Sequence, residues 1–185
     1  MATSSYTTLS YKHLPKDKEV LLDFYPPEKS GSPLLATKIP AVVFFHVGGL
    51  IMGNRRILFP AWLQSMYIFQ CLNILSEIDV LLGCLERANA LGYAFISADY
   101  QLLLPTTGHD ALSDVQDLFK FITENNFTHR KATFEIDPEK IIVAGASIGG
   151  NLAYLAAAHV SPFKPKGILS FYGMGGDYFA SDNSA

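Results

Sequence analysis

Gly145-Ala146-Ser147-Ile148-Gly149 is the stretch whose residue types best suit chemistry. It fits G-x-S-x-G, and it lies between a short apolar run, Ile141–Ala144, and an Ala- and Leu-rich run, Ile148–Val160. A serine hydroxyl is a poor nucleophile unless it is exposed, oriented and paired with a base. A sharp strand-to-helix turn would lift Ser147 above the sheet edge. Gly145 and Gly149 would keep side chains out of the crowded turn. The amide of Ile148, opening the helix, would face the same site and could donate to a developing oxyanion. Two other readings fit the same residues. Ser147 could cap the helix, or the glycines could cradle a phosphate. The spacing is not G-x-G-x-x-G, however, and no acidic residue ends the next apolar run, Gly167–Tyr172.

His46-Val47-Gly48-Gly49 directly follows another apolar run, Ala41–Phe45. Glycines at this point allow the backbone to approach a substrate closely, with N–H donors in place before charge develops. Asp99-Tyr100-Gln101-Leu102 follows a third such run, Tyr93–Ala98.

These segments need elements to hold them. Continuous apolar runs of this length suit strands buried on both faces, as in a parallel sheet. Two β-like runs, Thr7–His13 and Glu19–Tyr25, open the chain. Asp110–Asn126 has Leu112, Val115, Leu118, Phe119 and Ile122 on one helical face, with Asp114, Asp117 and Lys120 off it. Alternating strands and helices predict an α/β fold with a mostly parallel central sheet flanked by helices.

Together, from about Val42 to Gly173, these motifs make the chain similar to the hormone-sensitive-lipase-like esterase/lipase group of the α/β-hydrolase fold, of fungal type. The resemblance implies a serine hydrolase that cleaves small carboxylic esters through an acyl-enzyme, with Ser147 as nucleophile and no metal or organic cofactor. It implies that the amides of Gly48, Gly49 and Ile148 form the oxyanion hole and that His46 holds the loop's shape. It also implies that Asp99–Leu102 stabilises structure near the site. Two residues depart from the pattern. Val47 stands where the group has a further glycine, a costly place for a β-branched residue if positive φ is needed. Gln101 replaces an arginine, which removes a charge-assisted contact.

In this fold the acid and the histidine of the triad follow the serine on later loops. Here Ala185 is only 38 residues past Ser147. His159 is the one later histidine, and about 18 Å of helix would separate it from the serine. Asp177 and Asp182 read as solvated loop residues, and His109 and His129 as surface groups. A C-terminally truncated single domain over 1–185, inactive or impaired, is therefore expected. A non-catalytic small-molecule-binding module on the same fold is the competing reading.

Residues 57–84 form an atypical apolar insertion. From Ile57 to Ser76 no residue is charged, a length that would suit a bilayer, but polar residues dilute it and membrane association is not expected. A buried or surface-covering helix is a second reading. A third is a translated, unspliced intron, since Ser65-Met66-Tyr67 can be encoded by a splice-donor-like GTATGT string. Removing about twenty residues near Ser65–Cys84 would rejoin an ordinary helix. Composition sets the remaining bounds. The 185 residues carry a net charge of −3, 49% apolar and 17% charged residues. That suits a folded domain and argues against a nucleic-acid partner. Two cysteines, Cys71 and Cys84, make no disulfide framework or metal cluster. With no secretory leader pattern at the N-terminus, a cytoplasmic location is expected.

Overall fold

A computed structural model describes residues 5–27, 37–56 and 77–173. The strands are β1 (Thr7–Leu14), β2 (Lys18–Tyr25), β3 (Thr37–Phe45), β4 (Ala94–Ala98), β5 (Asn126–His129), β6 (Ala132–Ala146) and β7 (Gly167–Phe171). The helices are α1 (Glu77–Ala90), α2 (Gly108–Glu124) and α3 (Ile148–His159).

The strands form one seven-stranded sheet in the order β1-β2-β4-β3-β6-β5, with β7 also paired to β6. β3 lies parallel to both β4 and β6, and β6 parallel to β7. The β1–β2, β2–β4 and β5–β6 pairings are antiparallel. The sheet is therefore mixed, with its parallel strands at the centre where the site lies.

The central strands are apolar throughout because both faces of the sheet are covered. Ala41, Val43 and Phe45 of β3 join a core with Leu118, Ile122 and Leu152 of α2 and α3. Val42 and Phe44, one residue out of phase, join a smaller core with Leu81, Leu85 and Ala88 of α1. The strand period of two sorts one run of residues into two cores.

β6 is much longer than the predicted Ile141–Ala144. Its first half pairs with β5 in a hairpin, with His129 opposite Ala132. Phe134 and Ile136 are buried there, at alternate positions. The pairing of β3 with β6 shifts register between Ile39 and Ala41. Pro138, which has no N–H to give a ladder, lies at this irregularity.

α2 starts with Thr107, whose amide and hydroxyl both donate to Asp110, at 2.7 and 2.8 Å. Its buried stripe includes Asp114 as well as Ala111, Val115, Leu118, Phe119 and Ile122. The sequence reading had put Asp114 off this face. A fully buried carboxylate needs partners. Lys12 Nζ of β1 lies 2.7 Å away, while the Gln101 amide and side chain donate at 2.6 and 3.0 Å.

Removing one partner of a buried ion pair leaves the other charge uncompensated, at a cost of several kcal/mol. Lys12→Met is therefore expected to lower the unfolding free energy at pH 7 by about 2–4 kcal/mol. Lys120→Ala, on the exposed side of α2, should change it by less than about 0.5 kcal/mol. Urea denaturation of the two variants checks the contrast.

Candidate active site

β6 carries Gly145 and Ala146 through the sheet centre, with Gly145 paired to Phe45 of β3 and Ser170 of β7. The chain then turns at Ser147 (φ 53°, ψ −121°) and enters α3. A non-glycine residue there holds strain of roughly 1–3 kcal/mol, which persists only where the surroundings impose it. The surroundings here are backbone contacts. The Ser147 amide donates to the Phe171 carbonyl at 3.0 Å, and the Ser147 carbonyl accepts from Gly150 N–H at 3.0 Å. The side chain makes no capping bond to α3, so capping does not explain the serine.

The two glycines of the pentapeptide answer to close approach. A Cβ on Gly145 would overlap the backbone of Gly149, and it would come within 2.8 Å of the Gly150 nitrogen. A Cβ on Gly149 would overlap the carbonyl of Phe45 and lie 2.6 Å from that of His46. The first turn of α3, opened by buried Ile148, thus rests on the end of β3. Its first amides have no intrahelical acceptor.

The loop after β3 begins at His46, which is 1% exposed. Its Nδ1 donates to the Val47 carbonyl at 2.6 Å. Its ring stacks on Tyr100 (centroids 4.2 Å apart, planes 11° apart), and the Tyr100 hydroxyl donates to the His46 carbonyl at 2.9 Å. Burial pushes the imidazole down to about 4, against smaller upward pulls from the Val47 bond and from Asp99. His46 is therefore neutral near pH 7 and sits as a strut under the loop.

Val47 is not among the positive-φ residues. It is buried, in the core beneath α1. The expected strain at Val47 is thus not found; the unusual angles fall on Gly48 at φ 127°, Gly49 at φ 64° and the non-glycine Leu50 at φ 62°. The Gly48 carbonyl accepts from Ile51 and Met52 N–H at 3.0 and 3.1 Å. In a trans peptide the following amide points the opposite way, so the Gly49 N–H faces away from the loop's own turn.

The far end of this loop is held by charges that the sequence reading missed. Arg55 reaches Asp99 at 2.6 Å and Asp23 at 2.9 Å, and Arg56 reaches Asp23 at 2.8 Å. The Arg55 amide donates to Asp99 at 2.6 Å, and its carbonyl accepts from the Ser97 hydroxyl at 2.6 Å. Asp23 is fully buried. Burial pushes its carboxyl up, but bonds from Arg56, Thr8 and Arg55 outweigh that and hold it below the usual range. An aspartate inside the otherwise apolar run Val20–Tyr25 was the available signal. Gln101, in place of the resemblance's arginine, bonds Asp114, whose cationic partner is Lys12.

No described histidine stands ready as a base beside Ser147. His159 is exposed in the last turn of α3. His109 is exposed. His129 is bonded to Thr7 and Ser5 at 2.8 and 2.9 Å, on the hairpin side of the sheet. Asp177, Asp182 and the Ile57–Ser76 stretch lie outside the described residues. The rest of the expected insertion, residues 77–84, is helical and belongs to α1. Among the described residues no helix is long and apolar enough to cross a membrane. Among them, too, no three His, Cys, Asp or Glu side chains converge as metal ligands.

The chain is 27% identical over 140 residues to "Probable carboxylesterase M8" of Phoma sp., a match covering 72% of the chain and 37% of that protein. It is 25% identical over 166 residues to "Probable carboxylesterase 1" of Arabidopsis thaliana, covering 84% of the chain and 46% of that protein. Among solved structures, a bacterial heroin esterase superposes with a TM-score of 0.61 at 23% identity, over 92% of this chain and 44% of its own. The chain thus spans under half the length of these relatives. The family described as "alpha/beta hydrolase fold" matches residues 81–184. That span takes in β4, the elbow and α3 and exceeds half of the sequence, so the chain belongs to the α/β-hydrolase fold family.

Proposed function

We propose that this chain carries the nucleophile half of a carboxylic ester hydrolase, with Ser147 as the attacking group. The observation that carries this reading is the strained Ser147, held at φ 53° between β6 and α3 with no capping bond to tie up its hydroxyl. Its substrates are small carboxylic esters, the class implied by the carboxylesterase relatives. The hydroxyl attacks the ester carbonyl. The amide of Ile148, with those of Gly48 and Gly49, receives the negative charge on the former carbonyl oxygen. The alcohol leaves, and water then releases the acid from Ser147.

His46 keeps the loop in place and takes no proton from Ser147: its Nδ1–H is committed to Val47, and its basic nitrogen, Nε2, is buried with the ring and bonds no described residue. With no base at hand among the described residues, Ser147 stays a neutral alcohol and turnover is slow. The lack of a base also favours a second reading: the cleft holds a small ester or carboxylate without cleaving it.

Incubation with a fluorophosphonate probe separates these readings. The expected result is slow labelling of Ser147, absent in Ser147→Ala. It should be accompanied by p-nitrophenyl butyrate hydrolysis roughly 10³–10⁴-fold above the water rate, the residue left by oxyanion stabilisation and binding when a triad is incomplete. If the probe labels Ser147→Ala as it labels the parent, the nucleophile assignment fails. Rapid, complete labelling would show that a base is present after all.

The buried His46 makes a pH prediction. An unfolded imidazole takes up its proton near 6.5, whereas the folded one does so only near 4. Between those values the unfolded chain binds more protons, so stability falls as pH drops through that window. Urea unfolding at pH 7 and pH 4.5 should show a loss about 2–3 kcal/mol larger in the parent than in His46→Gln. Equal losses in the two proteins would mean that His46 is not held neutral.

A further inference from the structure

The described residues cover the α1 side of the sheet only in part. Between α1 and the edge strand β7 lies an open cavity of about 450 Å³, within the ~300–1,000 Å³ range of small-ligand sites. Val42, Ile142, Leu169 and Phe171 form its floor, and Cys84 and Arg87 of α1 form its wall. Leu169 is 49% exposed here. A Cβ on Gly83, also on this wall, would meet nothing within 4 Å, so no described residue fills the space beside the helix at that point. The lining is mostly apolar, with the Tyr93 phenol, the Cys84 thiol and Arg87 as its polar groups. Arg87, in the last turn of α1, is its one cation, and among the described residues it has no ion-pair partner.

We propose that this cavity binds a single-chain anionic amphiphile, a fatty carboxylate, with its chain over Val42, Ile142, Leu169 and Phe171 and its carboxylate on Arg87. The two features select this class together. A trough lined mainly by Val42, Ile142, Leu169 and Phe171 suits a hydrocarbon chain, which needs no hydrogen bonds. A lone guanidinium on the helix wall suits a carboxylate, which it can grip through two N–H donors. A cationic or zwitterionic head would meet Arg87 unfavourably, and a neutral one would leave it unpaired. The site lies on the face of the sheet beneath α1 and uses neither Ser147 nor the His46 loop, so it stands or falls separately from the hydrolase reading.

Isothermal titration of the whole chain with dodecanoate, below the concentration at which it forms micelles, tests the site. One molecule should bind per chain. Replacing decanoate by dodecanoate should tighten binding roughly fourfold per added methylene. Arg87→Gln, an exposed change in a helix, should weaken dodecanoate roughly tenfold while leaving the far-ultraviolet circular dichroism unaltered. Dodecyltrimethylammonium should bind the parent at least about tenfold more weakly than dodecanoate. Saturating dodecanoate should also slow iodoacetamide alkylation of Cys84, read by peptide mapping so that Cys71 is scored separately. Ser147→Ala should bind as the parent does. The proposal is overturned if Arg87→Gln binds dodecanoate as tightly as the parent, or if bound dodecanoate leaves Cys84 alkylation unchanged. It is equally overturned if Ser147→Ala abolishes binding, which would move the ligand to the hydrolase cleft. Finally, sedimentation showing a dimer with Cys84 already shielded and no dodecanoate uptake would assign the face to a second copy instead.

Discussion

The first turn of α3 lies so close to the end of β3 that a methyl group on residue 149 would overlap the Phe45 carbonyl. Much of the site's geometry follows from that contact. It brings the helix that begins after Ser147 against the strand that ends at His46, two segments about a hundred residues apart. It forces the turn between β6 and α3 to be sharp, because Gly145 must pass the Gly149 backbone at the same place. A turn that tight leaves Ser147 no ordinary backbone angle, and the serine takes φ 53°. The strain is local, and backbone packing and the bond to the Phe171 carbonyl hold it in place.

The loop that leaves β3 needs its own supports, since glycines at 48 and 49 confer no stiffness. Two anchors of different chemistry supply it. At its start, the His46 ring lies flat on Tyr100 and is buried. At its end, Arg55 and Arg56 grip Asp23 and Asp99 at the ends of β2 and β4. Both anchors cost desolvation, which only well-made partners offset. The paired groups have them: Asp23 accepts from Thr8 as well as from the two arginines. In this way the donors expected at Gly48 and Gly49 are referred to the same sheet that carries Ser147.

What could be seen in the sequence followed from how few residues can do each task. Only glycine tolerates the approach at 145 and 149, so the pentapeptide stood out, and the apolar runs of β3 and β4 reported strands covered on both faces. What stayed hidden depended on distant partners. Asp114 lies one position from the apolar stripe of α2, and nothing nearby in sequence announces that Lys12, 102 residues away, reaches it. The Arg55–Asp23 contact has the same character. The first half of β6 was masked by its own composition. Glu135, Asp137, Pro138, Glu139 and Lys140 read as a loop, while its burial rests on Phe134 and Ile136 alone. The turn before it, Arg130-Lys131, has neither glycine nor asparagine to mark a hairpin. At Val47 the sequence suggested strain that the fold avoids by shifting the positive angle to Gly48.

The elbow's dependence on β7 links the two faces of the problem. Ser147 N–H donates to the carbonyl of Phe171, and Phe171 with Leu169 also floors the open cavity beneath α1. The strand that fixes the serine is therefore sparsely covered by the described residues: Ile168, Leu169 and Phe171 are apolar, yet Ile168 and Leu169 remain 38% and 49% exposed. Edge strands with exposed apolar side chains are the less stable parts of a sheet. Phe171 thus meets both regions by different groups: its backbone carbonyl accepts from Ser147 N–H, while its side chain floors the cavity.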